Sequence, residues 1–277
     1  MEKEIKFIHL SDIHLTPADG KNIYQMGIDR TKKFRAVFAD IVRRDLRPDF
    51  FLISGDLIHE GTAADYRELK AMIESEKKRL GVPGFVCLGN HDNRRAFWEG
   101  FKNCPNQPEE REYYYSTMIG AFRLIALDSK QVGREEGRIS DKQLAWLENQ
   151  LKRPAALGTV IMLHHPLNCA PFHLMKYSIL QNTDHLATVL RGTDVLAVLS
   201  GHVHFYANYQ VAGILNSVVT AVSYGIDCTR PDRHPFIDDS GYQLVTIRDA
   251  QVMTQQWSLA SAKTVRYVLK LPEESIN

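Results

Sequence analysis

The 277-residue sequence predicts an α/β protein in which helices cover a mixed β-sheet and a second sheet packs on the first. Three observations predict it. Short apolar runs alternate with polar, helix-like segments through the first two thirds of the chain, the pattern of a parallel or mixed sheet covered by helices. The last third turns β-rich, with runs over 217–222, 242–247 and 252–259. Hydrophobic residues make up 44% and charged residues 24%, an ordinary globular balance, so there is enough apolar material for a large core. No internal repeat or low-complexity linker interrupts the pattern, and residues 1–277 read as one domain.

Taken in order, the first apolar run covers 5–10 and ends in Ser11-Asp12-Ile13-His14. Within 31–45, Phe34, Val37, Phe38, Ile41 and Val42 share one face of a helix. A strand over 50–53 ends in Ser54-Gly55-Asp56, and a charged helix covers 63–80. A strand over 85–88 ends in Gly89-Asn90-His91-Asp92, and another covers 123–127. Ser140 followed by Gln143 has the spacing of a capping box, with the hydroxyl capping the first turn and Gln143 reaching back, so a helix runs from 140 to about 152. A strand over 159–163 ends in His164-His165-Pro166, a helix covers 184–191, and a strand over 195–199 ends in Ser200-Gly201-His202-Val203-His204. Residues 103–116 and 167–183 lack periodicity and are long enough for functional loops or lids. Residues 167–183 and 223–241, the latter rich in Tyr, Asp, Arg and Pro, are the segments expected to shape a substrate pocket.

Composition excludes several classes. The formal net charge is +1, and no dense Lys/Arg stripe interleaves with aromatics, so nucleic acid is an unlikely partner. The pairs and triplets Arg43, Arg44 and Lys77, Lys78, Arg79 fall on helical stretches and read as solvated faces. No apolar run reaches the ~18 residues that cross a bilayer. The start, Met1-Glu2-Lys3-Glu4 followed directly by the 5–10 run, lacks the apolar core and cleavage site of a secretory signal. A cytoplasmic location is expected. Cys87, Cys104, Cys169 and Cys228 are scattered and form no CxxC pair, which argues against a disulfide framework and a Cys-type zinc site.

The chemistry lies at five strand ends: Asp12 with His14, Asp56, Asn90 with His91, His164, and His202 with His204. Sites in open α/β sheets gather at the carboxyl ends of strands. Taken alone, Asp12-x-His14 or Gly55-Asp56 is an ordinary polar turn, His164-His165-Pro166 is ambiguous, and Gly89-Asn90-His91-Asp92 doubles as a capped helix start. Period-two alternation puts Asp12 beside His14, and His202 beside His204, on one side of an extended segment. Five such turns together are improbable by coincidence. Asp, His and Asn without Cys suit Mn, Fe, Zn or Co. Seven ligands are too many for one ion and fit two ions sharing a carboxylate.

In their order, D-x-H, GD, GNHD, H-x-P and GHxH, these blocks resemble the calcineurin-like metallophosphoesterase superfamily. Leu127-Asp128-Ser129 and Arg191-Gly192-Thr193-Asp194 make the chain most similar to its bacterial class III cyclic nucleotide phosphodiesterases and related glycerophosphodiesterases. The protein Ser/Thr phosphatase branch carries GDxxDRG and GNHE, and Gly55-Asp56-Leu57-Ile58-His59-Glu60-Gly61 with Gly89-Asn90-His91-Asp92 departs from it. The resemblance implies a four-layer α/β/β/α sandwich with two mixed β-sheets flanked by helices. It implies two divalent ions, one held by Asp12, His14 and His204 and the other by Asn90, His164 and His202, with Asp56 bridging. The reaction implied is hydrolysis of a small phosphodiester, cyclic nucleotide or glycerophosphodiester, by a metal-bridging hydroxide; phosphomonoesterase, nuclease and non-catalytic scaffold are the alternatives. His91 is then no ligand but faces the phosphate and protonates the leaving group, and Asp92 either orients His91 or caps a helix. Asn90, His91 and His165 would contact substrate, His165 facing the cleft or standing behind the ligands. His59, His173 and His234 read first as surface histidines and otherwise as pocket lining. Arg94 and Arg95 read either as cations near the phosphate or as solvated helix residues. A homodimer or larger homo-oligomer is implied.

Overall fold

Alternation along apolar strands buried on both faces sorts their side chains into separate cores. A computed structural model describes residues 4–18 and 26–271, without the side chains of residues 173 and 174. Its elements are β1 (Ile5–Leu10), α1 (Arg30–Arg43), β2 (Phe50–Ser54), α2 (Ala63–Leu80), β3 (Gly84–Cys87), α3 (Arg94–Gly100), β4 (Tyr115–Ile119), β5 (Phe122–Ala126), α4 (Asp141–Leu151), β6 (Thr159–Met162), a 3-10 turn (Ala170–Met175), α5 (Thr183–Leu190), β7 (Val195–Ser200), β8 (Ala207–Val211), β9 (Ile214–Val218), β10 (Gly225–Ile226), β11 (Arg233–Ile237), β12 (Gly241–Arg248), β13 (Gln251–Ser258) and β14 (Val265–Lys270).

One sheet has the order β13-β12-β1-β2-β3, and the other β4-β5-β6-β7-β9-β8. Both are mixed: β1, β2 and β3 run parallel with antiparallel β12 at one side, and β5, β6, β7 and β9 run parallel with antiparallel β4 and β8 at the edges. Alternate residues of one strand enter different layers. Phe7, Phe50 and Leu52 point between the sheets and meet Phe122, Leu124, Val160 and Met162. The Phe7 and Phe50 rings stack there with centroids 4.5 Å apart. Ile8, Leu10, Phe51 and Ile53 point the other way, onto Phe34, Val37 and Phe38 of α1 and Tyr66 and Leu69 of α2. Across the molecule Ile125, Ile161 and Val198 meet Leu144 and Leu147 of α4 and Leu186 and Leu190 of α5. Each apolar side chain buried in this way contributes about 1.5–3 kcal/mol. The four layers expected are the four observed.

Several local expectations change. A third, antiparallel sheet β10-β11-β14 occupies much of 223–241, which sequence presents as loop. Its strands are short, β11 holds Pro235, and most of β14 is exposed, so no clean alternation announces them. The strand expected over 217–222 ends at Val218, because residues 219–222 turn their backbone to the site: Val219 N donates to Ser200 O (3.0 Å) and Val222 N to Ser11 O (2.9 Å). At the start of α4, Ser140 accepts from Gln143 N, but the Gln143 amide does not reach back. It brackets the Asp128 backbone instead, accepting from Asp128 N (2.7 Å) and donating to Asp128 O (3.0 Å). Within the described residues no helix is long and apolar enough to cross a membrane.

Candidate active site

The parallel strands β1, β2, β6 and β7 all end at the same edge of the molecule, and ladder-like backbone bonds continue past them. Asp12 N donates to Gly55 O (3.1 Å), His14 N to Asp56 O (2.9 Å) and Gly201 N to His164 O (3.0 Å). The candidate ligand residues do not sit in extended backbone, however. Asp12, His14, Asp56, His202 and His204 have φ of 54°, 47°, 46°, 70° and 58°. Left-handed backbone in a residue with a Cβ costs roughly 1–3 kcal/mol and persists where the surroundings enforce it, chiefly at functional sites. Asp12 and His14 thus converge through two left-handed residues, and not through the alternation of an extended strand. The glycines make the close approach possible: a Cβ at Gly89 would overlap the Asp56 carboxylate, and one at Gly201 would overlap Ser11 and Asp12.

The side chains meet at one point. His204 Nε2 lies 3.3 Å from Asp12 Oδ1. His14 Nε2 lies 3.4 Å from Asp56 Oδ2 and 3.2 Å from His204 Nε2. On the other side of Asp56, His164 Nε2 is 3.2 Å from Oδ2, 3.1 Å from Asn90 Oδ1 and 3.1 Å from His202 Nδ1. The outer ring nitrogens fix tautomers. His164 Nδ1 donates to Ser54 O (2.8 Å) and His204 Nδ1 donates to Tyr224 O (2.7 Å). A carbonyl only accepts, so each Nδ1 carries a proton and Nε2 is the nitrogen turned to the centre.

This donor set fits metal ions. Ring nitrogens of neighbouring imidazoles face one another, His14 with His204 and His164 with His202, and Asp12 Oδ1 is buried without a hydrogen-bond partner among the described residues. Donors ~2.0–2.2 Å from a common ion stand roughly 3–3.5 Å from one another, as these atoms do. Asp56 lies between the two groups, with His14 on one side and His164 on the other.

Burial and charge set the protonation of the cluster. Burial alone would raise the Asp56 pKa, but His164, His91 and His14 hold it well below the usual carboxylate range. Asp12 is lowered likewise, against burial, by His204 and His164. Burial pushes His14 well down and His202 down to about 3, so both rings are neutral. His164 is raised to about 9: burial opposes its proton, but Asp56 and Asp12 together prevail. The centre is a carboxylate–imidazole cage that holds positive charge between Asp12 and Asp56.

Residues 5–206 match the family model described as calcineurin-like phosphoesterase. The chain belongs to that family. A probable cyclic nucleotide phosphodiesterase from Rhodococcus erythropolis is 36% identical over 222 residues, covering 79% of this chain and 71% of the relative. A probable glycerophosphodiester phosphodiesterase from Arcobacter nitrofigilis is 30% identical over 206 residues, covering 71% of each chain. The fold is shared with a dimetal phosphatase from Danio rerio, at a TM-score of 0.57 and 17% identity over 90% of this chain and 98% of the other.

Around this metallophosphoesterase cage the remaining candidates divide. The His91 imidazole lines the same cleft as His14 and His204, with its ring 5.2 Å from that of His14. It also stacks on His59 at 4.3 Å, so His59 is a buried neighbour of the site and not a surface histidine. Asp92 neither orients His91 nor caps α3. Its carboxylate accepts from Gly89 N (2.8 Å), Leu57 N and Ile58 N (both 3.2 Å) and Tyr66 Oη (2.7 Å), stapling the Gly89 turn to the Asp56 turn, and Asn93 is the cap. His165 is fully buried, and both ring nitrogens are engaged, with Ser129 Oγ at 2.7 Å and Glu135 O at 2.9 Å. It braces a loop behind the cage and leaves no nitrogen for substrate. Arg94 is buried in a two-pronged pair with Asp128, whereas Arg95 is exposed. His234 is buried and lines the cleft, and the His173 side chain lies outside the described residues.

Three contributors carry no sequence signal. Glu135 accepts from Asn90 Nδ2 (2.9 Å), which turns Asn90 Oδ1 towards His164. Lys130 Nζ donates to Asn90 O (2.7 Å). Tyr224 lays its ring against His204, centroids 4.4 Å apart. Each is distant in sequence from the motif it supports, so only the folded chain connects them.

Proposed function

We propose that the chain hydrolyses small phosphodiesters, of the 3′,5′-cyclic nucleotide or glycerophosphodiester type, with two divalent ions. Asp12, His14 and His204 would hold one ion, Asn90, His164 and His202 the other, and Asp56 both. The single observation behind this reading is the convergence of Asp12 Oδ1, Asp56 Oδ2 and the Nε2 atoms of His14, His164 and His204 in a buried cage. Ions bound there supply Lewis-acid charge for the phosphoryl oxygens and lower the pKa of an attacking water. Mn, Fe, Zn and Co all suit these donors.

The chain's own groups do the rest. Asp56 and Asp12 fix the charge of the cage. His91, beside His14 at the cleft, donates a proton to the departing alkoxide, while its backbone N–H holds Asp56 Oδ1 at 3.0 Å. Asn90 is steered by Glu135 and Lys130. A dianionic monoester calls for extra cations near the phosphate, and Arg94 is already committed to Asp128. That favours diesters over monoesters. Segments 167–183 and 223–241 shape the leaving-group side within one 1–277 unit, which we read as cytoplasmic and homo-oligomeric.

The test compares bis(4-nitrophenyl) phosphate with 4-nitrophenyl phosphate on protein stripped of metal and reloaded with Mn²⁺. The diester should be cleaved faster. A preference for the monoester would move the assignment to a phosphatase.

A further inference from the structure

We propose that an aromatic alcove beside the cage, closed by the third sheet, receives a heteroaromatic base and makes this protein selective for nucleotide over glycerol diesters, with His234 hydrogen-bonding the edge of the base. The inference deepens the diesterase reading and rests on it. The cleft at the cage has a volume of about 250 Å³. That is a little below the ~300–1,000 Å³ usual for small-molecule sites and leaves room for one small nucleotide but not an oligonucleotide. Its lining combines His14, Asp56, His91, His202 and His204 of the cage with the apolar and aromatic side chains of Met175, Tyr177, Tyr224, Ile226, Phe236 and Leu269, and with the polar Glu135, Ser178 and His234.

The aromatic part of the lining is organised. Tyr224 stacks on His14 at 5.6 Å and on Phe236 at 5.3 Å, and Phe236 meets Tyr267 at 5.4 Å, so a ladder of rings leads from a ligand of the cage outward. Tyr224, Ile226, Phe236 and Leu269 lie beyond residue 206, where the match to the family model ends, whereas Met175 and Tyr177 lie within it. Against the ring faces of this lining a flat base gains stacking contact that a glycerol moiety does not.

His234 supplies the polar point. It is only 2% exposed and sits on β11 in the cleft lining. Its Nε2 is buried with no hydrogen-bond partner among the described residues. Buried polar atoms are nearly always satisfied, and one left over in a pocket wall marks where a ligand atom belongs. Burial lowers the His234 pKa against the pull of Asp227, so the ring is neutral at pH 7 and offers either a donor or an acceptor to a base edge.

The experiment uses the metal-loaded full chain with His234→Leu, His234→Gln and Tyr177→Ala. Tyr177 is 42% exposed at the lip, so its truncation leaves the core untouched. Two quantities are read: the ratio of kcat/KM for 3′,5′-cyclic AMP to that for glycerophosphocholine, and calorimetric binding of adenosine, which has no phosphate for the metals. The wild type should prefer cyclic AMP. His234→Leu should lower the ratio and the adenosine affinity about five- to tenfold, the worth of one hydrogen bond. His234→Gln should recover most of both, and Tyr177→Ala should lower the ratio severalfold. A wild-type preference for glycerophosphocholine, an unchanged ratio in both His234→Leu and Tyr177→Ala, or no adenosine binding would overturn the alcove. If the wild type cleaved neither diester yet bound adenosine through His234, the diesterase reading would fall and the base site would stand.

Discussion

Removing Asp128 should unlatch the Asn90–His91 turn from the rest of the fold. Asp128 is fully buried and Arg94 nearly so, with side-chain exposures of 0% and 4%. Arg94 Nε donates to Oδ2 at 2.9 Å and Nη2 to Oδ1 at 2.8 Å. The same carboxylate accepts from Tyr113 N (2.8 Å) and Lys130 N (3.1 Å). Asp128→Ala would leave a buried guanidinium without its counter-charge and two backbone donors without acceptors. Removing one partner of a buried pair costs about 3–5 kcal/mol. Asp128→Asn keeps an oxygen and roughly the same shape, so its cost should be lower, near the ~1.5–3 kcal/mol of charge-assisted bonds. Guanidinium unfolding, followed by tryptophan fluorescence in chelator so that bound metal adds nothing to either protein, gives both differences. Arg94 opens α3 just after the Gly89-Asn90-His91-Asp92 turn, and Lys130 bonds Asn90, so turnover of metal-loaded Asp128→Asn should also fall. A loss below about 1 kcal/mol in the alanine variant, at unchanged denaturant slope, would refute the latch.

Two further predictions concern histidines. His91→Ala should cut diester turnover by ~10²- to 10⁴-fold, the usual worth of a general acid, while metal content measured by plasma mass spectrometry stays at the wild-type value. His9 is fully buried, with Nε2 2.8 Å from Ser54 Oγ, and burial lowers its pKa to about 4. The unfolded chain takes up this proton below pH ~6.5 and the folded chain only near 4, so the stability is complete above ~6.5 and is lost as pH falls towards 4, about 2 kcal/mol of it between pH 7.5 and 5. Chemical unfolding of His9→Gln at those two pH values should show a pH dependence smaller by that amount, and an unchanged dependence would contradict the assignment.

The layers were legible because strand period and helix period were both written in apolar residues: Phe7 against Ile8, and Phe50 against Phe51, announce two buried faces of one sheet. The cage was legible because its residues follow directly on those strands. What was hidden has physical reasons. The third sheet is short and half exposed, so burial never imposed an alternating pattern on it. Asp92 and His165 look like chemistry in sequence because they adjoin ligands, yet their polar atoms are spent on backbone and Ser129, which only three-dimensional contacts reveal. The convergence of Asp12 with His14 rests on left-handed backbone that no residue pattern specifies for non-glycine residues.

The most direct test of the account counts metal ions per chain in wild type and Asp56→Asn after stripping and reloading with Mn²⁺, with diester hydrolysis followed on the same samples. Asp56 Oδ2 stands close to both halves of the cage, 3.4 Å from His14 Nε2 and 3.2 Å from His164 Nε2, whereas Asp12 Oδ1 is 3.3 Å from His204 Nε2 but 4.0 Å from His164 Nε2. The expected result is two ions per wild-type chain, at most one in the variant, and turnover that disappears with the lost metal. A wild type that binds none, or an Asp56→Asn protein that hydrolyses the diester at the wild-type rate, would contradict it.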